Sequence, residues 1–464
     1  MNTLTNTQID ELLKKVKKIH FIGIGGSGMC PLAEILHSEG YTLTGSDNNE
    51  TDTLARIRNL GIEVHMGHSP SNIGDAELVV YTAAIMSDNP ELNYAKESGV
   101  PTIERSKLLG AVSRLYPRCV AVAGTHGKTT VTSMITEIMM RAGMDPTVVI
   151  GGKLNTIGGN GRVGHSDLMV CEACEFVDTF LELSPYLSVI LNIDNDHLDY
   201  FGNMDNVKKS FGKFAGITSK ALIVNGDDPN TVDVYEKIKD KEIITFGLTQ
   251  DNDYYATNIE QTHDARTCFD LMHRGEFVAR IRLSIPGFHN IGNAVAAAAA
   301  ALYCGAGVKS VEEGLDAFTG AGRRFEILYR DNGITIADDY AHHPTELRAT
   351  LKAAMSMGYK SVWAVFQPFT YSRTEMLMDD FAEVLKIPTH CVMSEIMGSR
   401  EKNVHGVYTS QLAAKIPGSV WFNTFEEIAG YVTERVEPGD LIITLGCGDI
   451  YKAAKLMISK LKSK

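Results

Sequence analysis

Residues 124–130 read Gly-Thr-His-Gly-Lys-Thr-Thr, and their types and spacing suit the handling of phosphate. Gly124, Thr125, His126 and Gly127 can turn successive backbone N–H groups toward one anion. Lys128 is a cation for β- and γ-phosphates, and the hydroxyl of Thr129 or Thr130 is a ligand for Mg²⁺. The segment departs from the full G-x-x-x-x-G-K-[ST] spacing, because Val122 stands where the first glycine belongs. The alternative is an ordinary strand-to-helix turn, which has no need of the G-K-T-T order.

A second glycine-rich segment precedes it. Gly23-Ile24-Gly25-Gly26-Ser27-Gly28 fits G-x-G-x-x-G, and Asp47 follows at the distance of about twenty residues typical of a ribose-binding acid. Glycines admit a pyrophosphate close to the backbone, and the following helix supplies N–H donors. Taken alone the loop fits NAD, another nucleotide diphosphate or a plain turn.

Magnesium takes hard oxygen ligands in addition to phosphate. Glu172 and Glu175 in VCEACEF, and Asp194, Asp196, His197 and Asp199 in NIDNDHLDYFG, each follow an apolar run. Carboxyl ends of parallel strands gather on one edge, where ligands bind, so both segments and the phosphate loop are expected to face one site. Singly, each acid reads as a cap or a solvated charge; at successive strand ends the metal reading is preferred. Cys171 and Cys174 form a lone C-x-x-C with no second pair, and read as reduced cysteines rather than a zinc site.

Three later segments add polar groups. PGFHNIGNAVAA puts Asn290 and Asn293 at the start of an alanine-rich helix, where capping explains one asparagine and not both. GAGRRFE brings Arg323 and Arg324 to a domain junction, suited to a transferred phosphoryl group. DDYAHHPTE adds Asp339, His342 and His343 beside the first strand of a third region.

These residues need a scaffold, and the chain spells one out. From residue 18 to 105, short apolar runs (IHFIGIG, YTLTGSD, IEVHMG, ELVVYTAA, VPTIE) alternate with helical patterns, the βαβ signature of an open parallel sheet. RCVAVAGTHGKTT starts a new strand–loop–helix unit, which places a boundary near residue 107. DLMVCEA, LSVILNI, KALIVNGD and EIITFG continue it, and TCFDLMHRGEFVARIRLSIPG has the pattern of a hairpin, an antiparallel addition. A third α/β region follows from GAGRRFE onward, so the fold class is α/β in three domains.

Composition limits the partners. The chain has 464 residues, 44% hydrophobic and 22% charged, with a formal charge of −13, which argues against a non-specific nucleic-acid binder and a protein drawn to anionic lipid. No apolar run reaches the length of a membrane span. The polar start MNTLTNTQIDELLKKVKK carries no apolar signal core, and a cytoplasmic protein is expected.

GTHGKTT, EACE, NIDNDHLDYFG, PGFHNIGNAVAA, GRRFE, DDYAHHPTE and YSRT stand in the order found in the Mur ligases, and the chain resembles that family from about residue 18 to 455. The resemblance implies a Rossmann-like domain at 1–107 that holds a UDP-sugar on Gly23, Gly25, Gly26, Ser27, Gly28 and Asp47. It implies a central P-loop ATPase-like domain at 108–321, and a Rossmann-like domain at 322–464 that completes the ATP and amino-acid sites. The implied reaction activates the carboxylate of UDP-N-acetylmuramate with ATP and Mg²⁺ as an acyl phosphate, which the amine of L-alanine attacks. By the same resemblance Lys128, His197 and Arg324 are catalytic, and Thr129, Glu172 and His197 hold metal. Asn293, Arg324 and Asp339 contact ATP, while His342 or His343 lies near the amino-acid end. One departure is Cys174, where many relatives carry an acid; this leaves Glu172 and Glu175 both open, with Glu172 preferred because it directly follows the strand. Some relatives carry a carbamylated lysine between metals, and the spacing selects none of Lys208, Lys209 and Lys213. The alternatives are a ligase joining a recovered murein peptide to the same UDP-sugar, an NAD-dependent oxidoreductase, and a non-catalytic nucleotide-gated module.

Overall fold

Parallel strands covered on both faces must be apolar along their whole length; the runs at 168–171 and 187–190 are buried throughout, whereas 63–66, at a sheet edge, is half-exposed. A computed structural model describes residues 4–82, 84–86, 88–261, 267–399 and 401–463, with Leu198 and Asp199 described by backbone alone. The Asp199 side chain therefore lies outside the described residues. The chain divides into two compact units, residues 1–259, 269–282 and 292–318 forming the first, and 260–268, 283–291 and 319–464 the second. Among the described residues no helix is long and apolar enough to cross a membrane.

The first unit opens with β1 (Lys18–Ile22), β2 (Thr42–Asp47), β3 (Glu63–Met66), β4 (Leu78–Tyr81) and β5 (Thr102–Glu104), in the sheet order β3-β2-β1-β4-β5. All four pairings are parallel. The order reverses at β1, so the loop after β1 occupies the crevice at which α/β sheets bind ligands. That loop is the G-x-G-x-x-G segment.

The central sheet is built from β6 (Arg118–Ala123), β7 (Thr147–Leu154), β8 (Gly159–Arg162), β9 (Leu168–Glu172), β10 (Leu187–Ile190), β11 (Ala221–Asn225), β12 (Glu242–Gly247), β13 (Tyr254–Gln261), β14 (Thr267–His273) and β15 (Glu276–Leu283). Its order is β15-β14-β13-β12-β11-β10-β6-β9-β7-β8. From β7 through β9, β6, β10, β11, β12 to β13 the pairs are parallel, and β8 runs antiparallel to β7. Strand β6 is flanked by β10 and β9, which sets the phosphate loop at its end between the two acidic segments at theirs. The alanine-rich helix His289–Tyr303 buries Ala294 and Ala296 to Ala301 almost completely; small side chains let it approach its neighbours closely. The hairpin β7–β8 abuts the first glycine loop: Asn160 donates its amide N–H to the Ser27 carbonyl, and Arg56 donates to Gly161 O at 2.9 Å. Gly161 has no room for a side chain, since a Cβ there would lie 2.5 Å from Pro31 Cβ.

The second unit carries β16 (Glu326–Asp331), β17 (Ile334–Asp339), β18 (Val362–Phe366), β19 (His390–Ser394), β20 (Val420–Phe422) and β21 (Leu441–Leu445), in the order β16-β17-β21-β18-β19-β20. One apolar cluster covers each face. Strands β16 and β17 form an antiparallel hairpin across Asn332 and Gly333, whose φ values of 51° and 76° are those an Asn-Gly turn tolerates. This corrects one expectation: DDYAHHP closes the second strand of this sheet, not the first, because the Asn-Gly turn folds one more strand ahead of it.

Candidate active site

The phosphate loop is shaped by contacts that only glycine permits. Gly124 has φ 141°, and a Cβ there would lie 2.9 Å from Leu191 Cβ. Gly127, at φ 88°, caps the helix Lys128–Arg141, and a Cβ on it would meet Asn293 Oδ1 at 2.9 Å. Asn192, which sequence reasoning passed over, laces the loop to the end of β10. It takes the Thr125 N–H on its carbonyl (3.1 Å) and the His126 N–H on its side chain (2.8 Å), and donates its amide to His126 O (3.0 Å). Of the expected nest, the Thr125 and His126 amides are thus engaged. The amides of Lys128, Thr129 and Thr130 open the helix, where N–H groups have no intrahelical acceptor and the helix dipole favours an anion.

Lys128 is partly buried and turned back onto its own loop. Its Nζ donates to the carbonyls of Gly124 and Thr125 and to both oxygens of Glu175, at 3.1 and 2.8 Å. Burial acts to lower its pKa, but the Glu175 carboxylate outweighs that and holds it above the ordinary lysine value. Glu172, the last residue of β9, points elsewhere: its Oε1 accepts the Gly151 N–H at 2.6 Å. The intervening Cys174 thiol is pushed up by burial, and Cys171 Sγ sits 3.9 Å from buried Cys119 Sγ. All eight cysteines are free.

After β10, Asp194 accepts from His126 Nε2 at 3.0 Å and donates its N–H to Thr125 Oγ1 at 2.9 Å. His197 holds φ 55°, an uncommon backbone state outside glycine, with its ring 4.8 Å from that of Phe176 and its N–H on Asp196 Oδ1 at 2.8 Å. Lys208 is paired with Asp233 at 2.7 Å. Lys209 and Lys213 flank an open cavity of about 580 Å³ that also reaches Asp178 and Tyr200. The first unit thus gathers the phosphate loop, Glu175, Asn192, Asp194 and Asn293 around one strand edge.

At the other loop, Ser46 O accepts the N–H groups of Gly23 (2.8 Å) and Ile24 (3.1 Å), and Asp47 Oδ2 accepts that of Gly25 (2.9 Å). Asp47 also takes the Asn49 N–H at 3.0 Å, so it holds the loop together as well as closing β2. Arg105, which opens the helix after β5, passes close enough to Gly28 that a Cβ there would lie 3.0 Å from Arg105 Cδ. Its position directly after a strand was the available signal for it.

The second unit separates its two arginines. Arg323, at φ 59°, donates Nε to Asp338 (2.8 Å) and its terminal nitrogens to the carbonyls of Gly448 (3.0 Å) and Gly446 (2.6 Å). It ties β17 to the end of β21. Arg324 is half-buried and stands over the Tyr340 ring at 5.2 Å. Asp339 is 6% exposed and accepts the N–H groups of Phe325 and Ala341, each at 2.8 Å. Burial raises its pKa to about 6 against the pull of Arg324. His342 Nδ1 is 3.1 Å from Tyr340 O, while His343 caps the helix Pro344–Ser356 with its ring nitrogen accepting from Thr345 N–H. Asn290 donates to Pro286 O at 2.6 Å, a local turn contact, whereas Asn293 belongs to the phosphate loop.

Three family models match consecutive stretches: the Mur ligase family catalytic domain at 18–117, the Mur ligase middle domain at 122–301 and the Mur ligase glutamate ligase domain at 323–448. The chain is similar to the UDP-N-acetylmuramate–L-alanine ligase of Acetivibrio thermocellus, 44% identical over 451 residues and 96% of each chain. It is 43% identical over 458 residues to the enzyme of that name from Caldanaerobacter subterraneus, covering 97% of this chain and 99% of that one. Among solved structures it resembles UDP-N-acetylmuramate-alanine ligase from Thermotoga maritima, with a TM-score of 0.83, 29% identity and coverage of 96% and 99%. A murein peptide ligase from Psychrobacter arcticus shares the fold, with a TM-score of 0.75 at 24% identity over 96% and 98%.

Proposed function

Because this chain belongs to the Mur ligase family, we propose that it joins L-alanine to the carboxylate of UDP-N-acetylmuramate, converting ATP to ADP and phosphate in the synthesis of peptidoglycan precursors. One observation carries this reading: two glycine loops follow parallel strands, β1 and β6, of two separate sheets, and the second carries Lys128 paired with Glu175. A hydride-transfer enzyme needs the first loop and leaves the second without work. The relatives named for this reaction at 44% and 43% identity favour L-alanine over a peptide as acceptor.

The chemistry follows from what each residue can do. The substrate carboxylate attacks the γ-phosphorus of ATP, ADP leaves, and an acyl phosphate forms. The amine of L-alanine then attacks the acyl carbon, phosphate leaves, and the amide keeps the nitrogen while its proton is lost. Lys128 meets the charge on the transferred phosphoryl group, together with the free amides at the start of its helix. Arg324 is proposed for the same charge, and Asn293 and Asp339 for ATP itself, with His342 or His343 near the amino acid. The donor set suits Mg²⁺: Thr129 offers a hydroxyl, Glu172 keeps an oxygen beyond the one on Gly151, and His197 offers an imidazole that must be neutral to ligate. Bound there, Mg²⁺ would supply charge neutralisation for the phosphates. Glu175, already committed to Lys128, is the weaker ligand. On this reading residues 1–107 hold the UDP-sugar, 108–321 hold ATP and 322–464 complete the ATP and amino-acid ends, in a cytoplasmic enzyme.

The test supplies UDP-N-acetylmuramate, ATP and Mg²⁺ and compares L-alanine, other amino acids and a tripeptide as acceptors. Phosphate release that needs both sugar and L-alanine is expected, with a product heavier by one alanyl residue. Release with tripeptide alone, or hydride transfer from a nicotinamide cofactor with no ADP, overturns the proposal.

A further inference from the structure

Beneath the first glycine loop lies a buried polar cluster that the reaction above leaves unused. Glu91, in the first turn of the helix Pro90–Ser98, is fully buried. Its Oε2 accepts from Ser46 Oγ at 2.5 Å and from His68 Nδ1 at 2.8 Å. Its Oε1 faces Nε2 of fully buried His20 at 3.4 Å, and this approach is the one polar neighbour given for either atom among the described residues. His20 Nδ1 lies 2.8 Å from Thr44 Oγ1. With Nε2–H turned to the carboxylate, Nδ1 is left to accept the threonine proton, which fixes the ring. Burial raises the Glu91 pKa, but the facing polar groups of His20, Ser46 and His68 outweigh it and bring it down to about 2.

A buried carboxylate is costly unless its donors are in place, and these donors come from three places in the chain: β1, β2 and the turn after β3. They meet at Ser46. Its hydroxyl is held by Glu91, and its carbonyl takes the N–H groups of Gly23 and Ile24, the first residues of the glycine loop. The next residue, Asp47, takes that of Gly25. One residue therefore joins the buried carboxylate to the backbone of the loop.

We infer that Glu91 is a positioning residue for the UDP-sugar site: clamped by His20 and His68, it fixes Ser46 and through it the amides of the glycine loop. This rests on the proposed function, in which that loop receives the diphosphate. Glu91 touches no substrate, and acts only through the loop it holds.

The test titrates the full-length protein with UDP-N-acetylmuramate by calorimetry, with kinetics and melting temperature alongside, for wild type, Glu91→Gln, Ser46→Ala and Ile9→Val. The last is a core change in the same unit and sets how far lost stability alone weakens binding. Glu91→Gln and Ser46→Ala are each expected to raise the Kd and KM for the UDP-sugar about tenfold, the factor for one lost charged hydrogen bond. The KM for ATP and the kcat at saturating sugar should stay unchanged. Wild-type affinity in both variants overturns the inference, as does a loss that Ile9→Val reproduces at equal melting temperature. Should Glu91→Gln fail to fold, Ser46→Ala decides alone. A wild-type protein that binds ATP and no UDP-sugar strikes at the proposed function instead, and removes the premise here with it.

Discussion

Glu172 and Glu175 stand three residues apart with the same charge, and the end of β9 divides their work. Glu172 gives one oxygen to the Gly151 amide and keeps the other; Glu175 gives both to Lys128. A cation already paired with a carboxylate competes with a metal for it, so Glu172 is proposed as the ligand. Glu172→Gln is expected to raise the Mg²⁺ concentration for half-maximal phosphate release by about tenfold or more, the effect of one lost charged contact. Glu175→Gln should leave that requirement in place and lower stability instead, by about 3 kcal/mol, because it strands the partly buried Lys128 ammonium. Magnesium titrations of both variants, with urea unfolding, check this; a raised requirement in Glu175→Gln alone reverses the assignment. At this scale the sequence announced the charged candidates, because G-K-T-T and acids at strand ends are local patterns. It did not announce Asn192 or Arg105, whose importance lies in what the folded chain sets beside them. The resemblance singled out Arg324, but the residues alone did not show that its neighbour Arg323 is tied to Asp338 and to the carbonyls of Gly446 and Gly448.

Strand ends decide what the polar groups of an element can do, and Asp339 at the end of β17 is an instance. Two backbone amides and a nearby guanidinium favour its charge, yet burial lifts its pKa to about 6, above the unfolded value of about 3.9. A carboxyl with a raised folded pKa binds its proton more tightly in the folded state. Its contribution is therefore present below about pH 4 and lost as pH rises to about 6, amounting to roughly 3 kcal/mol for two pKa units. Asp339→Asn has no such titration. The stability difference, wild type minus variant, should fall by up to that amount between pH 4 and 6.5 in urea unfolding curves; a difference that is flat or rises with pH contradicts the assignment. The parallel strands themselves were legible as continuous apolar runs. The hairpin β7–β8 was not, because GNGR carries glycines and polar groups where a strand pattern needs side chains, and its pairing and its packing against Pro31 supply what the pattern lacks. The hairpin β16–β17 was hidden for a different reason: the Asn-Gly turn lies inside a stretch read as one strand opening onto DDYAHHP.

Across the molecule, two phosphate loops sit on two separate sheets, and this division has a consequence that a single shared site would lack. The loop proposed for the UDP-sugar is held by Ser46 and Asp47 of its own sheet, whereas Lys128 is held by Gly124, Thr125 and Glu175 of the central one. No hydrogen bond described for Lys128 reaches the first sheet. Removing its charge should therefore cost the chemical step and spare the sugar. Lys128→Ala is expected to lower kcat at least about a hundredfold, the loss of roughly 3 kcal/mol that follows removal of one donor aimed at developing charge. Removing this cation also leaves buried Glu175 without its partner, so unfolding must be followed in parallel, and the variant kept below its melting transition. Calorimetric titration should then return the wild-type affinity for UDP-N-acetylmuramate together with lost or much weakened affinity for ATP. The opposite pattern, sugar binding lost and ATP turnover intact, would exchange the two loops and place ATP on the G-x-G-x-x-G segment. Loss of both ligands in a folded variant would mean that the loops are coupled, and that the sugar site depends on the charge state of the central sheet.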